Sequence, residues 1–186
     1  MAMNKMKKVY DAYKERLEFL KFANLKNKKI LDIGVGKGLS SIIIVKEFNC
    51  DVTVIDPLFE KIKEFKLNAK EHGVDKKISF INGDITKSNL KSNSFDYVIC
   101  YNSLHHIPKS LREKALKEMY RISKQGFIIS ELNENGIYLF DTIVHSNSNH
   151  KKIKVDLTWL ESKLKSLGKI KKTKKRKLTN FYFVGN

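Results

Sequence analysis

Apolar positions along the chain keep two rhythms, one helical and one strand-like, that take turns. In "VYDAYKERLEFLKFANL" (9–25), Val9, Tyr13, Leu17 and Leu20 fall at helical spacing and predict an amphipathic helix. "KKILDIG" follows as a short β-rich run closed by glycine. "GLSSIIIVKEF" (38–48) reads as a buried helix despite its β-branched residues, because glycines open it and a polar turn closes it. "DVTVID" (51–56) predicts a second strand, and "PLFEKIKEFKLNAKEHG" a helix with Pro57 near its start and Gly73 at its end.

Strand signals return in "KISFINGD" (77–84) and "SFDYVICYN" (94–102). A helix follows in "KSLREKALKEMYRISK" (109–124), where Leu111, Ala115, Met119 and Ile122 share one face, and a fifth strand in "GFIISELN" (126–133). Beyond 133 the pattern loosens around one apolar patch, Ile137 to Phe140, and this segment is expected to be mobile. "DLTWLESKLKSLG" (156–168) restores a helix, with Trp159 on its apolar face, and "KIKKTKKRKLT" with "NFYFVGN" reads as a hairpin closing the sheet edge. Strands alternating with helices imply parallel pairing through right-handed crossovers. The expected fold is therefore α/β: a doubly wound, mostly parallel seven-stranded sheet with helices on both faces and a C-terminal antiparallel hairpin.

Composition narrows the setting. At 186 residues and 41% hydrophobic, the chain can bury the core of one domain. No apolar run approaches the roughly 18 residues that cross a membrane, and the N-terminus lacks a signal-peptide apolar region. No membrane partner is expected. Cys50 and Cys100 have no metal-ligand spacing, so the expectation is no metal site and two free thiols in a reducing, cytoplasmic compartment. The net charge of +17 would attract a polyanion such as RNA, with much of the excess in "KKIK" (151–154) and "GKIKKTKKRK" (168–177). The same lysines also fit a solvated surface in a chain rich in Lys, Ile and Asn.

The candidate chemistry starts at "LDIGVGKG" (31–38), where Asp32 ends an apolar run and Gly34, Gly36 and Gly38 follow. Glycines there let a ligand approach the backbone at the carboxyl end of a strand, near helix N-terminal amides. The dinucleotide fingerprint G-x-G-x-x-G fails, because its third glycine position holds Leu39. An acid on the strand suits a ligand carrying positive charge.

The pattern D-x-G-x-G-x-G resembles the first motif of the class I S-adenosylmethionine-dependent methyltransferases, whose fold is Rossmann-like. The resemblance implies that Asp32 and the glycine turn hold the methionine part of S-adenosyl-L-methionine. Asp56, ending "VTVID" before Pro57, would bind the ribose hydroxyls, and Asp84 in "INGDI" would face the adenine amine with Ile85 against the ring. "YNSLHHI" resembles the small-molecule "LHH" branch of the family, which places Tyr101 and Asn102 where acceptor and methyl group meet. His105 and His106 are the candidate bases, histidine being the side chain that ordinarily exchanges protons near neutral pH. Each is also open to a packing or capping role.

The fourth strand lacks the N/D-P-P-Y motif of enzymes acting on base amines or glutamine. The resemblance therefore implies methyl transfer to a small-molecule acceptor. RNA or a protein partner docked on Lys171 to Lys177 is the alternative, and a non-catalytic cofactor-binding subunit a third. Tyr10 and Tyr13 would cover the cofactor or pack in the core. Asn133, Glu134 and Asn135 would bind substrate or make a turn, and His145 and His150 would lie on a surface loop. One methyltransferase domain is expected over 1–186, with a helical cover (1–28), a cofactor-binding core (29–133), a flexible substrate loop or lid (134–154) and a C-terminal helix and hairpin (155–186).

Overall fold

The computed structural model describes residues 11–144 and 153–186. Its strands are β1 (Lys29–Ile33), β2 (Asp51–Asp56), β3 (Ile78–Asn82), β4 (Phe95–Tyr101), β5 (Ser123–Leu132), β6 (Lys169–Lys175) and β7 (Thr179–Gly185). They form one seven-stranded sheet in the order β3-β2-β1-β4-β5-β7-β6. β1 to β5 run parallel, while β7 is antiparallel to both β5 and β6. The expected fold, hairpin included, is the one observed.

Successive residues of a strand point to opposite faces, and the central strands are buried on both. Ile30, Ile99, Ile128 and Phe181 face one apolar cluster, whereas Leu31, Val98, Ile129 and Tyr182 face the other. The first cluster is closed by α1 (Ala12–Leu20), α2 (Leu39–Phe48) and α3 (Phe59–Glu71), the second by α4 (Arg112–Ile122) and α6 (Leu157–Leu167). Cys50 and Cys100 are buried free thiols in different clusters. Trp159 is only half-buried, packing against the margin of the second cluster. No described helix is long and apolar enough to cross a membrane.

Burial decides the helix that propensity alone would refuse. Ile42, Ile43 and Ile44 in α2 each cost a few tenths of a kcal/mol in helix propensity. All three are buried, which contributes roughly 1.5–3 kcal/mol apiece. Gly38 and Asn49, both left-handed, start and stop α2. α1 is shorter than the predicted 9–25: Asp11 caps its start by accepting the N–H groups of Tyr13 and Lys14, and it stops at Leu20 with Lys21 as its C-cap.

The segment expected to loosen begins instead with a helix, α5 (Glu134–Leu139), continued by one π turn, Phe140–Val144. Its signal is hidden because the helix is short and has Gly136 inside. That glycine is imposed from outside: a Cβ there would stand 2.1 Å from the Leu178 carbonyl oxygen. His145 and His150, assigned to a surface loop, and Tyr10 lie outside the described residues.

Candidate functional site

The carboxyl ends of β3, β2, β1 and β4 lie side by side and carry the residues singled out from sequence. Asp32 on β1 is 2% exposed and accepts a hydrogen bond from Ser41 Oγ at 2.6 Å. Burial pushes its pKa up to about 6, against the opposing pull of Ser41 and Arg16. The three glycines after it do different work. A Cβ on Gly34 would lie 2.6 Å from Ser103 Oγ, and one on Gly38 2.0 Å from the Phe65 ring of α3, so both answer to the chain's own packing. Gly36, with φ +50°, has nothing within 4 Å of an added Cβ and opens on space.

Asp56 ends β2 and is buried, yet each of its oxygens already accepts a backbone amide. Oδ2 takes Val35 N–H at 2.9 Å, fixing the glycine turn, and Oδ1 takes Leu58 N–H at 2.8 Å, fixing the start of α3. A carboxylate offers about four lone-pair sites, so acceptor capacity is left over. Asn82 at the end of β3 donates to the carbonyls of Asp56 and the exposed Pro57. Asp84 accepts from Thr86 N–H and Oγ at 2.8 and 2.9 Å, capping a short 3-10 turn. Ile85 is 4% exposed and packs inward with the second cluster, while Leu58 beside Asp56 is 54% exposed.

At the end of β4, Tyr101 lies under α1. The Arg16 guanidinium sits 4.4 Å from its ring centroid, and Phe19 meets it edge-on at 5.1 Å. Asn102, with φ 48°, donates its N–H to the Ser130 carbonyl and accepts Ser130 Oγ at 2.6 Å, locking the turn to β5. His105 is buried, with Nδ1 2.8 Å from Glu131 Oε2, and its backbone N–H donates to Glu131 Oε1. His106 is exposed, its ring 4.2 Å from that of His105. Arg112 donates to four backbone carbonyls, those of His105, Ile107, Ile153 and Lys154, and so ties this turn to the chain after residue 152.

A methyltransferase domain family matches residues 30–126, more than half of the chain. The chain belongs to that methyltransferase family. It is 31% identical over 115 residues to norajmaline N-methyltransferase of Rauvolfia serpentina, an alignment covering 59% of this chain and 39% of that protein. It is 27% identical over 130 residues to the sterol 24-C-methyltransferase of Candida albicans, covering 68% of this chain and 32% of that protein. The chain thus spans about a third of the length of these curated relatives. A SAM-dependent methyltransferase structure from Aquifex aeolicus superposes with a TM-score of 0.75 at 18% identity, covering 98% of this chain and 97% of the other, and shows the same fold.

Within this methyltransferase fold, the sheet brings Asp32, the glycine turn, Asp56, Asp84, Tyr101, Asn102 and His105 to one edge. Other residues take places that single-residue reading did not settle. Tyr13 is not core: it is 39% exposed and donates to Glu47 at 2.5 Å, bridging α1 and α2. Asn133 caps α5 by accepting Gly136 N–H, and Glu134 pairs with Lys154 at 3.2 Å. β6 is exposed along almost its whole length, with Lys174 and Arg176 paired to Glu18 and Glu15 of α1.

Glu131, Arg16, Arg112 and Leu58 were missed. Glu131 carried a signal, an acid inside the apolar run "FIISEL" at a strand's end. Arg16 and Arg112 looked like solvent-facing members of amphipathic helices, and Leu58 like an ordinary helix residue.

Proposed function

We propose that this protein is an S-adenosyl-L-methionine-dependent methyltransferase acting on a small-molecule acceptor. One observation carries the proposal: buried Asp32 and Asp56 at the ends of β1 and β2 and half-buried Asp84 just past β3 lie beside a turn in which Gly36, of the three glycines, opens on space. That set of acceptors fits the cofactor. Asp32 would take the ammonium, the spare lone pairs of Asp56 the ribose hydroxyls, and Asp84 the adenine amine, with Leu58 offering the exposed apolar surface beside them. When bound, the cofactor supplies a methyl group already activated by its sulfonium. The chain's remaining task is to hold the acceptor in line and remove its proton where necessary.

The relatives' names support a small acceptor, an alkaloid nitrogen in one and a sterol carbon in the other. Free Cys50 and Cys100 fit a reducing, cytoplasmic setting. One observation favours RNA or a protein as acceptor instead. The basic turn after β6 lies at the same sheet edge, since Thr179 pairs with Leu132 and the Arg176 carbonyl accepts Asn133 Nδ2.

Incubating methyl-labelled cofactor with the purified protein and source-cell extract separates these cases. Label in the small-molecule fraction is the expected result. Label in RNA or protein moves the acceptor to the basic turn, and absence of transfer with retained cofactor binding leaves a non-catalytic subunit.

A further inference from the structure

The charged residues of α1 differ in what they meet. Glu18 pairs with Lys174 and Arg176, and Glu15 with Arg176 and the Thr179 hydroxyl. Arg16, between them in sequence, has no such partner. Its guanidinium lies 4.4 Å from the centroid of the Tyr101 ring, and among the described residues only its Nη1 finds an acceptor, the Ala12 carbonyl at 3.2 Å. Nε is enclosed with nothing to donate to, and Nη2 has no acceptor either. Stacking alone asks for none of this, since a guanidinium held on a ring face can leave its N–H edge in water. A shut-in donor without an acceptor marks a place that a ligand completes.

The position of that edge says which chemistry it meets. Leu31 and Ile33 face the second apolar cluster, so Asp32 between them faces the first, as do Ile99 and Tyr101 of β4. Asp32 is in register with Ile99, and Tyr101 lies two residues further toward the carboxyl end of β4. Arg16 and Asp32 therefore meet the same face of the sheet at the same end. The Arg16 charge pulls the Asp32 pKa down against its burial, yet no ion pair joins them: Asp32 is held by Ser41, and Arg16 by the Ala12 carbonyl. Opposite charges that act on each other without touching fit a group that carries both signs on neighbouring atoms.

We propose that Arg16 binds a ligand carboxylate, beside the ammonium that Asp32 would take. This rests on the methyl-transfer reading and deepens it. Arg121 shows what such an edge does elsewhere in the molecule: its Nε and Nη2 clasp the two oxygens of Glu118 at 2.9 and 2.6 Å. In Arg16 those same two atoms are left over, Nη2 is the way in, and the planar fork matches a carboxylate. Two carboxylates come within reach of the reaction. One is on the methionine part of the cofactor, and the other is on the acceptor, which the family resemblance brings to Tyr101 under the guanidinium.

The test titrates the full chain by calorimetry with S-adenosyl-L-homocysteine and with decarboxylated S-adenosylhomocysteine, which lacks only the carboxylate. If the carboxylate is the cofactor's, the native chain should prefer S-adenosyl-L-homocysteine by about 10- to 100-fold, the value of a charge-assisted pair. Arg16→Gln should lose most of that preference by weakening S-adenosyl-L-homocysteine alone, with affinity for the decarboxylated ligand held within about twofold. A merely structural Arg16 would weaken both ligands together, and that result counts against the proposal. If the carboxylate is the acceptor's, Arg16→Gln should bind both ligands as the native chain does, while label transfer to the small-molecule fraction at saturating cofactor falls by about 10-fold or more. The native labelled product should then be an acid, held by an anion exchanger at neutral pH.

An Arg16→Gln protein that keeps both ligand affinities and the native rate of label transfer overturns the proposal. The native chain decides as well, should Arg16→Gln fail to fold: binding the two ligands within about twofold and labelling a neutral product rejects the role of Arg16 and leaves methyl transfer standing. A native chain that binds neither ligand sinks the methyltransferase reading itself.

Discussion

The two halves of the sheet's ligand-facing edge are built in different ways. On the β1–β2 side the parts are mostly near neighbours in sequence: Asp32 is held by Ser41, and Gly34, Gly36 and Gly38 follow within one turn. On the β4–β5 side the parts meet only through the sheet and α4. Glu131 reaches His105 from the next strand, and Arg112 gathers carbonyls from the histidine turn and from residues 153–154. The first half is a motif and the second an assembly, so they should fail differently.

The largest expected effect is on folding in the motif half. Gly38→Ala adds a Cβ at φ +76° that collides with Phe65, and should lower stability by about 4 kcal/mol in chemical denaturation. Gly36→Ala meets no neighbour and should cost only about 1–2 kcal/mol, for its left-handed backbone, while removing cofactor binding by calorimetry. Equal destabilisation by the two would erase the distinction drawn between these glycines.

Next comes the assembly half. Arg112→Met strips the donors from four carbonyls and should cost about 3 kcal/mol in the same assay, with cofactor affinity little changed. A large loss of affinity would mean that the two halves are not separable.

Asp56→Asn tests binding more than folding, because the remaining oxygen still serves one of its two amides. Affinity for S-adenosyl-L-homocysteine should fall roughly 10- to 100-fold, the value of a charge-assisted hydrogen bond to ribose. Unchanged calorimetric affinity would move the ribose elsewhere.

A smaller effect follows from pH. Asp32 has a folded pKa raised from 3.8 to about 6, so the folded state takes up the proton more readily, and this group's contribution to stability grows as pH falls from about 6 to about 4. Binding should run the opposite way. A ligand ammonium needs the carboxylate, so affinity should drop by about tenfold per pH unit below 6, and Asp32→Asn should flatten that slope. The smallest effect is nearer the surface: Arg176→Ala, losing half-buried pairs to Glu15 and Glu18, should change stability by about 1 kcal/mol.

The same contrast explains what the sequence made legible. The alternation of apolar runs was enough for the sheet, its helices and the hairpin, because burial on both faces leaves each central strand almost continuously apolar. Asp32, Asp56 and Asp84 could be picked out because they follow apolar runs at the positions where the family resemblance puts acids, at or just past the strand ends. The partnership of Glu131 with His105 depends on which strands become neighbours, and no local pattern encodes that. α5 escaped because Gly136 weakens the helical signal to make room for the Leu178 carbonyl. Sequence could show three glycines, but only packing shows that Gly34 and Gly38 serve the fold.

The sheet ends on β6, whose outer backbone groups have no strand beside them among the described residues. Such a border is a template for a second chain to zip onto. This border is written almost wholly in lysine, with Lys169, Lys171, Lys172, Lys174 and Lys175 along seven residues. Two copies approaching edge to edge would set like charges opposite one another, each such pairing unfavourable. Whatever else those lysines attract, they oppose edge-to-edge pairing with a second copy, and a version with threonines in their place would be expected to hold its fold and associate more readily.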